Sequence, residues 1–318
     1  MNRLFRQLKP EKSGIYLDTI RSIFPEAFSD GNPGLDDIEN YYTHSFWGYA
    51  LFHSRDGAMH MALSSDGEFS IDDFSGQAER VTEAIQSMPR CQRVLEIGCG
   101  RGFNTRLLSK AFPEVEFVGV DLNALHIQQA KADTRSQKNV TFVKGGFDQL
   151  DSLDLGTFDL IYAVESLCHS LDLRVTLSSI QSVLREGGTL VVMDGFRGKP
   201  VESNREMSDS VRLVERSMAV PRFFDPSEFH ELAAKLGWIS TREEDLSDQI
   251  MPNLLRLADF AKAFFKFPLL ARLLRHILPL DLAKNAIAGL FMPITVKLGY
   301  HQYRLMEWRK PACLQAKT

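Results

Sequence analysis

The 318-residue chain lacks a long apolar run, has few cysteines and shows no strong excess of either charge. Its longest apolar stretch, Ala286 to Val296, falls well short of the ~20 residues a membrane-crossing helix requires. The four cysteines, Cys91, Cys99, Cys168 and Cys313, have no metal-like spacing. Such usage fits a reducing cytosol better than a disulfide scaffold, so a cytoplasmic location is expected. A net charge of −4 gives no basic footprint, and no nucleic-acid partner is expected. The stretch from Met1 to Pro10 is basic and polar, without the apolar segment of a secretory signal. His44, His53 and His60 lie without recognisable ligand spacing, so no metal is expected either. Internal repeats and low-complexity tracts are absent.

What is present is concentrated in Val94-Leu95-Glu96-Ile97-Gly98-Cys99-Gly100-Arg101-Gly102. A short apolar strand runs into a turn with glycine at every second position, where a backbone can bend sharply and approach a ligand closely. A second strand, from Glu114, ends in Asp121, and an acid there suits the two hydroxyls of a ribose. The dinucleotide pattern G-x-G-x-x-G would need glycine at position 103, which is Phe103. Glu96 beside the turn repels a diphosphate and attracts an ammonium group. A ribose with an amino-acid tail and no phosphate describes S-adenosylmethionine.

Strand and helix patterns alternate from about Gln92 to Leu246. Strands are expected at Arg93–Ile97, up to Asp121, Val140–Val143, Phe158–Val164, Thr189–Met193 and from Trp238 to Thr241. Helices are expected at Thr105–Phe112, after an Asn123 cap, at Leu173–Leu184 before Gly187-Gly188, and at Pro226–Leu236. Near-continuous apolar strands between amphipathic helices imply a parallel sheet covered on both faces. The expected organisation is an aromatic helical lid at 1–75, a cofactor-binding core at 76–247, a helical insertion at 248–298 and a last core strand with its tail at 299–318. The insertion reads as several helices broken at Pro252, Pro268, Pro279 and Pro293, and His301–Trp308 as the last strand.

These residues resemble a class I S-adenosylmethionine-dependent methyltransferase. The resemblance implies a Rossmann-like α/β fold: a mostly parallel seven-stranded sheet with helices on both faces, an N-terminal lid and an insertion before the last strand. It implies a cofactor site made by Glu96, Gly98, Cys99, Gly100, Gly102, Asp121, Leu122 and Val164, with Asp121 on the ribose and Leu122 on the adenine. After the third strand the family's acid is replaced in Lys144-Gly145-Gly146-Phe147, so Gly146 and Phe147 are expected to meet the adenine instead. The run Tyr162-Ala163-Val164-Glu165-Ser166-Leu167-Cys168-His169 is similar to that of sterol and tocopherol C-methyltransferases, as are Tyr41-Tyr42 and Trp47-Gly48-Tyr49 more loosely. The Asn/Asp-Pro-Pro-Tyr run of many nucleic-acid and protein N-methyltransferases is absent.

The catalytic candidates are therefore Glu165, His169, Tyr41 and Tyr42. Methylation of an alkene carbon makes a carbocation that needs a dry aromatic pocket and then a base, for which Glu165 is placed. O- or N-methylation of an aromatic natural product is the second enzymatic reading, and an inactive cofactor-binding partner protein the non-enzymatic one. A phosphorylated acceptor would need cations, with Arg55, Lys199 and Arg222 as candidates. In the insertion, Leu254, Leu255, Leu257, Phe260, Ala261, Phe264 and Phe265 recur at helical spacing among several lysines and arginines. That face is expected to cover the sheet or a homodimer partner; weak contact with a membrane surface is the other reading.

Overall fold

A computed structural model describes residues 13–28, 33–48, 53–201, 204–274 and 280–312. Tyr49, Phe52, Pro279 and Cys313 lie outside these residues. Seven strands form one sheet: β1 (Arg93–Ile97), β2 (Glu116–Asp121), β3 (Val140–Lys144), β4 (Phe158–Val164), β5 (Leu184–Arg197), β6 (Ile239–Asp245) and β7 (His301–Arg309). Their order is β3-β2-β1-β4-β5-β7-β6. All neighbouring pairs are parallel except those of β7, which runs antiparallel to β5 and β6.

Alternate residues of each central strand feed opposite layers, as the two-residue period of a strand requires. Val94, Leu160, Tyr162, Val191 and Met193 enter one apolar layer, closed by α3 (Gly76–Ser87), α4 (Phe103–Ala111), α9 (Ser247–Phe265) and α11 (Leu280–Lys297). Leu95, Ile97, Ile161, Ala163, Leu190 and Val192 enter the other, closed by α6 (Leu173–Val183) and α8 (Pro226–Lys235). Because both faces are covered, the central strands read as largely apolar runs, interrupted by Glu96 in β1 and Asp159 in β4. The remaining helices are α1 (Ser13–Ile23), α2 (Leu35–Gly48), α5 (Ala124–Asp133), α7 (Arg205–Ser217) and α10 (Pro268–Leu274).

Several boundaries differ from the sequence expectation. The second strand starts at Glu116, not Glu114. The first core helix starts at Phe103, two residues early, directly after Gly102 at φ 73°. Gly187-Gly188 does not stop a helix but lies in β5, where Gly187 N donates to Lys310 O and Lys310 N to Gly188 O, both at 2.9 Å. β6 extends to Asp245 because β7 pairs with it that far. Helix α7 was not expected, its apolar face (Met207, Val211, Leu213, Val214) being hidden among charges.

Pro252 and Pro293 break nothing; they sit inside α9 and α11. An interior proline costs about 3 kcal/mol. The mutual burial of Leu254, Ala261, Ile287, Leu290 and Phe291 between these helices offsets that cost. Pro268 does begin a new helix, α10. The insertion packs beside the segment before α3: Ser64 N donates to Gln249 O (2.9 Å) and Ala62 N to Asn253 Oδ1 (3.2 Å). Among the described residues, no helix is long and apolar enough to cross a membrane.

Candidate active site

The glycine turn leaves the end of β1 with Gly98 at φ 67° and Gly100 at φ 51°, backbone that L side chains rarely adopt. Space also demands glycine at 98, because a Cβ there would lie 2.3 Å from Ser166 Cβ. Asp121, ending the neighbouring β2, fastens the turn: its Oδ2 accepts from Gly100 N at 2.8 Å. Its Oδ1 accepts from Asn123 N at 2.8 Å and from His126 Nδ1 at 3.3 Å. Asn123 caps α5 by accepting from Leu125 N (2.9 Å) and His126 N (3.2 Å). Its amide also donates to Thr43 Oγ1 (2.8 Å), tying α2 across the mouth of the site.

These strand ends open into a cavity of about 280 Å³. Glu96, Gly98, Cys99, Gly100, Asp121, Leu122, Gly146, Phe147 and Val164 all line it, together with Tyr42, Glu165 and His169. Two candidates do not. At Gly102 a Cβ would meet the Phe142 ring at 2.7 Å, so glycine there serves close helix–strand packing. Tyr41 is buried at 2% exposure, and its hydroxyl donates to Asn285 Oδ1 of α11. Arg55, Lys199 and Arg222 are also absent from the lining. Arg222 is held by Glu228 at 2.7 and 2.8 Å, and Lys199 sits over the Tyr300 ring.

Glu96 is buried and anchored to the start of α4. Its Oε2 accepts from Thr105 N (3.1 Å), the Thr105 hydroxyl and Tyr162 OH (2.9 Å). Oε1 has only the 3.4 Å bond from Asn104 Nδ2. Burial pushes its carboxyl up to about 7 despite these donors.

Glu165, just past β4, has φ 47°, unusual for a residue with a Cβ and a sign of stored strain. Met61 N donates to its Oε1 at 2.7 Å, and the Tyr303 hydroxyl of β7 favours its ionised form. Burial raises it to about 8, with Asp194 adding repulsion. Asp194 itself is buried and raised to about 6, its oxygens accepting from Gly195 N (2.7 Å) and Cys168 N (3.1 Å). Gln77 completes the cluster, its Nε2 donating to Met61 O (2.6 Å) and Tyr303 OH (3.2 Å). Sequence reading missed Gln77, Asp194 and Tyr303, which come from three distant segments. The one available signal was an acid closing the apolar run Leu190 to Met193.

His169 Nδ1 lies 3.1 Å from Ala219 O, and its Nε2 lies 2.7 Å from Tyr42 OH. A carbonyl only accepts, so Nδ1 carries the proton and Nε2 accepts from the tyrosine. Burial lowers this imidazole to about 4, leaving it neutral. His53 and His60 are also lowered by burial to about 4, and both rings pack on Phe74.

These groups make stability depend on pH in a defined direction. Histidines lowered from 6.5 to about 4 bind protons better when unfolded, so they stabilise the fold as pH rises from 4 to 6.5. The raised carboxyls bind protons better when folded, and stability falls as pH climbs from the unfolded value of 4.5 through the folded one. Above pH 7 Glu165 carries most of the remaining titration, Glu96 being already about half ionised there. The melting temperature is therefore expected to fall between pH 7 and pH 8.5, and Glu165→Gln to remove most of that fall. Thermal scans across pH on both proteins test this; parallel curves would contradict it.

The cavity's charge indicates its ligand. Glu39, Asp121, Asp148 and Asp172 line it against Arg101, with Glu96 and Glu165 as acids that a bound cation would help to ionise. That excess of acidic groups suits a cation and disfavours a diphosphate. His126 Nε2, buried at the same wall, has no hydrogen-bond partner among the described residues. With the glycine cradle and the oriented Asp121 carboxylate, the residues fit S-adenosylmethionine.

Strand order and site together define a class I, Rossmann-like methyltransferase fold, the class that binds S-adenosylmethionine. Residues 94–188 match the family model described as a methyltransferase domain, and the chain carries such a domain. Over 160 residues it is 31% identical to sterol 24-C-methyltransferase of Kluyveromyces lactis, a match covering 49% of this chain and 42% of that protein. The chain thus spans less than half the length of that relative. Geranyl diphosphate C-methyltransferase from Streptomyces coelicolor A3(2) superposes with a TM-score of 0.59 at 16% identity, covering 86% of this chain and 98% of that one. The [4+2]-cyclase SpnF superposes with a TM-score of 0.70 at 17% identity, covering 89% and 98%. A cyclase on this fold means that the fold alone does not carry the activity.

Proposed function

We propose that this protein transfers a methyl group from S-adenosylmethionine to a small hydrophobic molecule, and that the acceptor is a carbon of an isoprenoid or sterol-like compound. One observation carries the reading: a single cavity joins the glycine turn and Asp121 to Glu165 beneath an aromatic wall. In this reading Asp121 holds the ribose hydroxyls, Leu122, Gly146 and Phe147 the adenine, and Glu96 with Gly98, Cys99 and Gly100 the amino-acid end. When bound, the cofactor supplies an activated methyl group on a sulfonium, a good leaving group.

The chain's own residues then have three tasks. Val164, Tyr42 and Phe147 exclude water from the reacting carbon. The Tyr42 face stabilises positive charge on the acceptor by about 0.5–2 kcal/mol. Glu165 takes the proton that a methylated alkene must lose. Held near neutral pKa by burial, and more readily ionised with a cation in the same cavity, it is matched to that role. We read α2 and residues 57–60, which supply Leu35, Ile38, Tyr42 and His60 to the lining, as the cap over this chamber; no described residue of 248–298 lines it.

The sterol relative and the geranyl diphosphate neighbour support an isoprenoid class. The cavity lining includes Leu35, Leu171 and Val175, apolar side chains 44–54% exposed. Its carboxylate excess favours an acceptor without a diphosphate. O-methylation is the second reading, supported by the neutral imidazole of His169 facing Tyr42. Incubation with labelled cofactor and a panel of sterols, prenyl diphosphates and phenols separates them. Label in a sterol or neutral isoprenoid is expected. Label in phenols alone would favour the second reading, and cofactor binding with no transfer to any acceptor class would favour the non-enzymatic one.

A further inference from the structure

We propose that α10 and the turn entering it form a docking surface for an anionic lipid bilayer. The apolar face of α9 is consumed internally, with Ile250, Leu254, Ala258, Ala261 and Phe265 buried. Just beyond Phe265 the pattern reverses. Phe267 is 57% exposed, Leu269 80% and Leu273 58%. Leu269 and Leu273 stand one turn apart, so they share one arc of α10. Ala271, at 0% exposure, occupies the opposite arc, and Arg272 donates to Ser22 Oγ of α1 at 3.2 Å. The helix is therefore fixed to the body with Leu269 and Leu273 outward.

Cations surround this arc. Lys266 Nζ lies 5.7 Å from the centroid of the Phe267 ring, and Arg272 sits between the two leucines in sequence. Among the described residues neither has an acidic partner. Across 262–284 the sequence carries Lys262, Lys266, Arg272, Arg275 and Lys284 against Asp281. Lys262 is neutralised by Asp259 at 3.0 Å, while Lys266 and Arg272 keep the exposed arc basic. Apolar side chains beside cations describe a helix lying in the plane of an anionic membrane surface. A second copy of the chain fits less well, because a two-fold contact would set these cations against themselves.

The inference does not depend on the methyl-transfer reading. Co-sedimentation with phosphatidylcholine vesicles, with and without phosphatidylserine, tests it on the full chain. Binding is expected with phosphatidylserine, at least about tenfold weaker without it, and weaker in high salt. The double variant Leu269→Glu/Leu273→Glu is expected to lose at least about tenfold in vesicle binding. Its melting temperature and S-adenosylmethionine affinity are expected to stay unchanged, which separates docking from folding and from the cofactor site. Absence of binding to the anionic vesicles, or equal binding by the double variant, would overturn the proposal. So would a dimer in sedimentation analysis that the double variant dissociates, since the face would then belong to a second copy.

Discussion

Glu165→Gln is expected to lower turnover about 10²–10⁴-fold while leaving S-adenosylmethionine affinity within about twofold. The substitution isolates proton transfer because the native carboxyl, raised to about 8, is largely protonated at neutral pH before ligands bind. A glutamine amide oxygen accepts from Met61 N as Oε1 does, so the link between β4 and the segment before α3 survives. What glutamine cannot do is ionise. Single-turnover rates, with calorimetry of cofactor binding, make the comparison. Unchanged turnover would remove Glu165 from the mechanism and leave its strained backbone a structural matter.

Asp121→Ala is expected to weaken S-adenosylmethionine binding roughly 100-fold or more, corresponding to two charge-assisted hydrogen bonds at about 1.5–3 kcal/mol each. Part of the loss would be indirect, since Asp121 also holds Gly100 N and Asn123 N at 2.8 Å. Asp121→Asn keeps one carbonyl acceptor and is expected to fall between wild type and alanine. Calorimetry with S-adenosylmethionine and, in parallel, with NAD reads both the affinity and the ligand class. Tight NAD binding, or full S-adenosylmethionine affinity in the alanine variant, would contradict the assignment of the cavity.

The core was legible in the chain where local pattern and tertiary environment agree. Both faces of β1 and β4 are buried, so each appears in sequence as a largely apolar run, broken only by Glu96 or Asp159 within it. Asn123 caps α5 because a cap is a contact within three residues, fully contained in the local sequence. Gly98 and Asp121 stood out because the constraints on them act at a turn and a strand end. Helix α7 escaped notice because its apolar residues alternate with charges that the fold carries to the opposite face. Pro252 and Pro293 misled for the opposite reason, a local penalty outweighed by packing between α9 and α11.

The chain's order of residues was enough to specify the parallel core, the glycine turn and the acid at the end of the second strand, since each arises from neighbours a few positions apart. The surroundings of Glu165 arose differently. Gln77, Asp194 and Tyr303 reach it from α3, β5 and β7, and burial together raises the carboxyl toward neutrality. Likewise the contacts of Gly102 with Phe142 and of Tyr41 with Asn285 join residues far apart in the chain. Protonation and packing depend on which distant groups share a volume, and that volume exists only after the chain has folded.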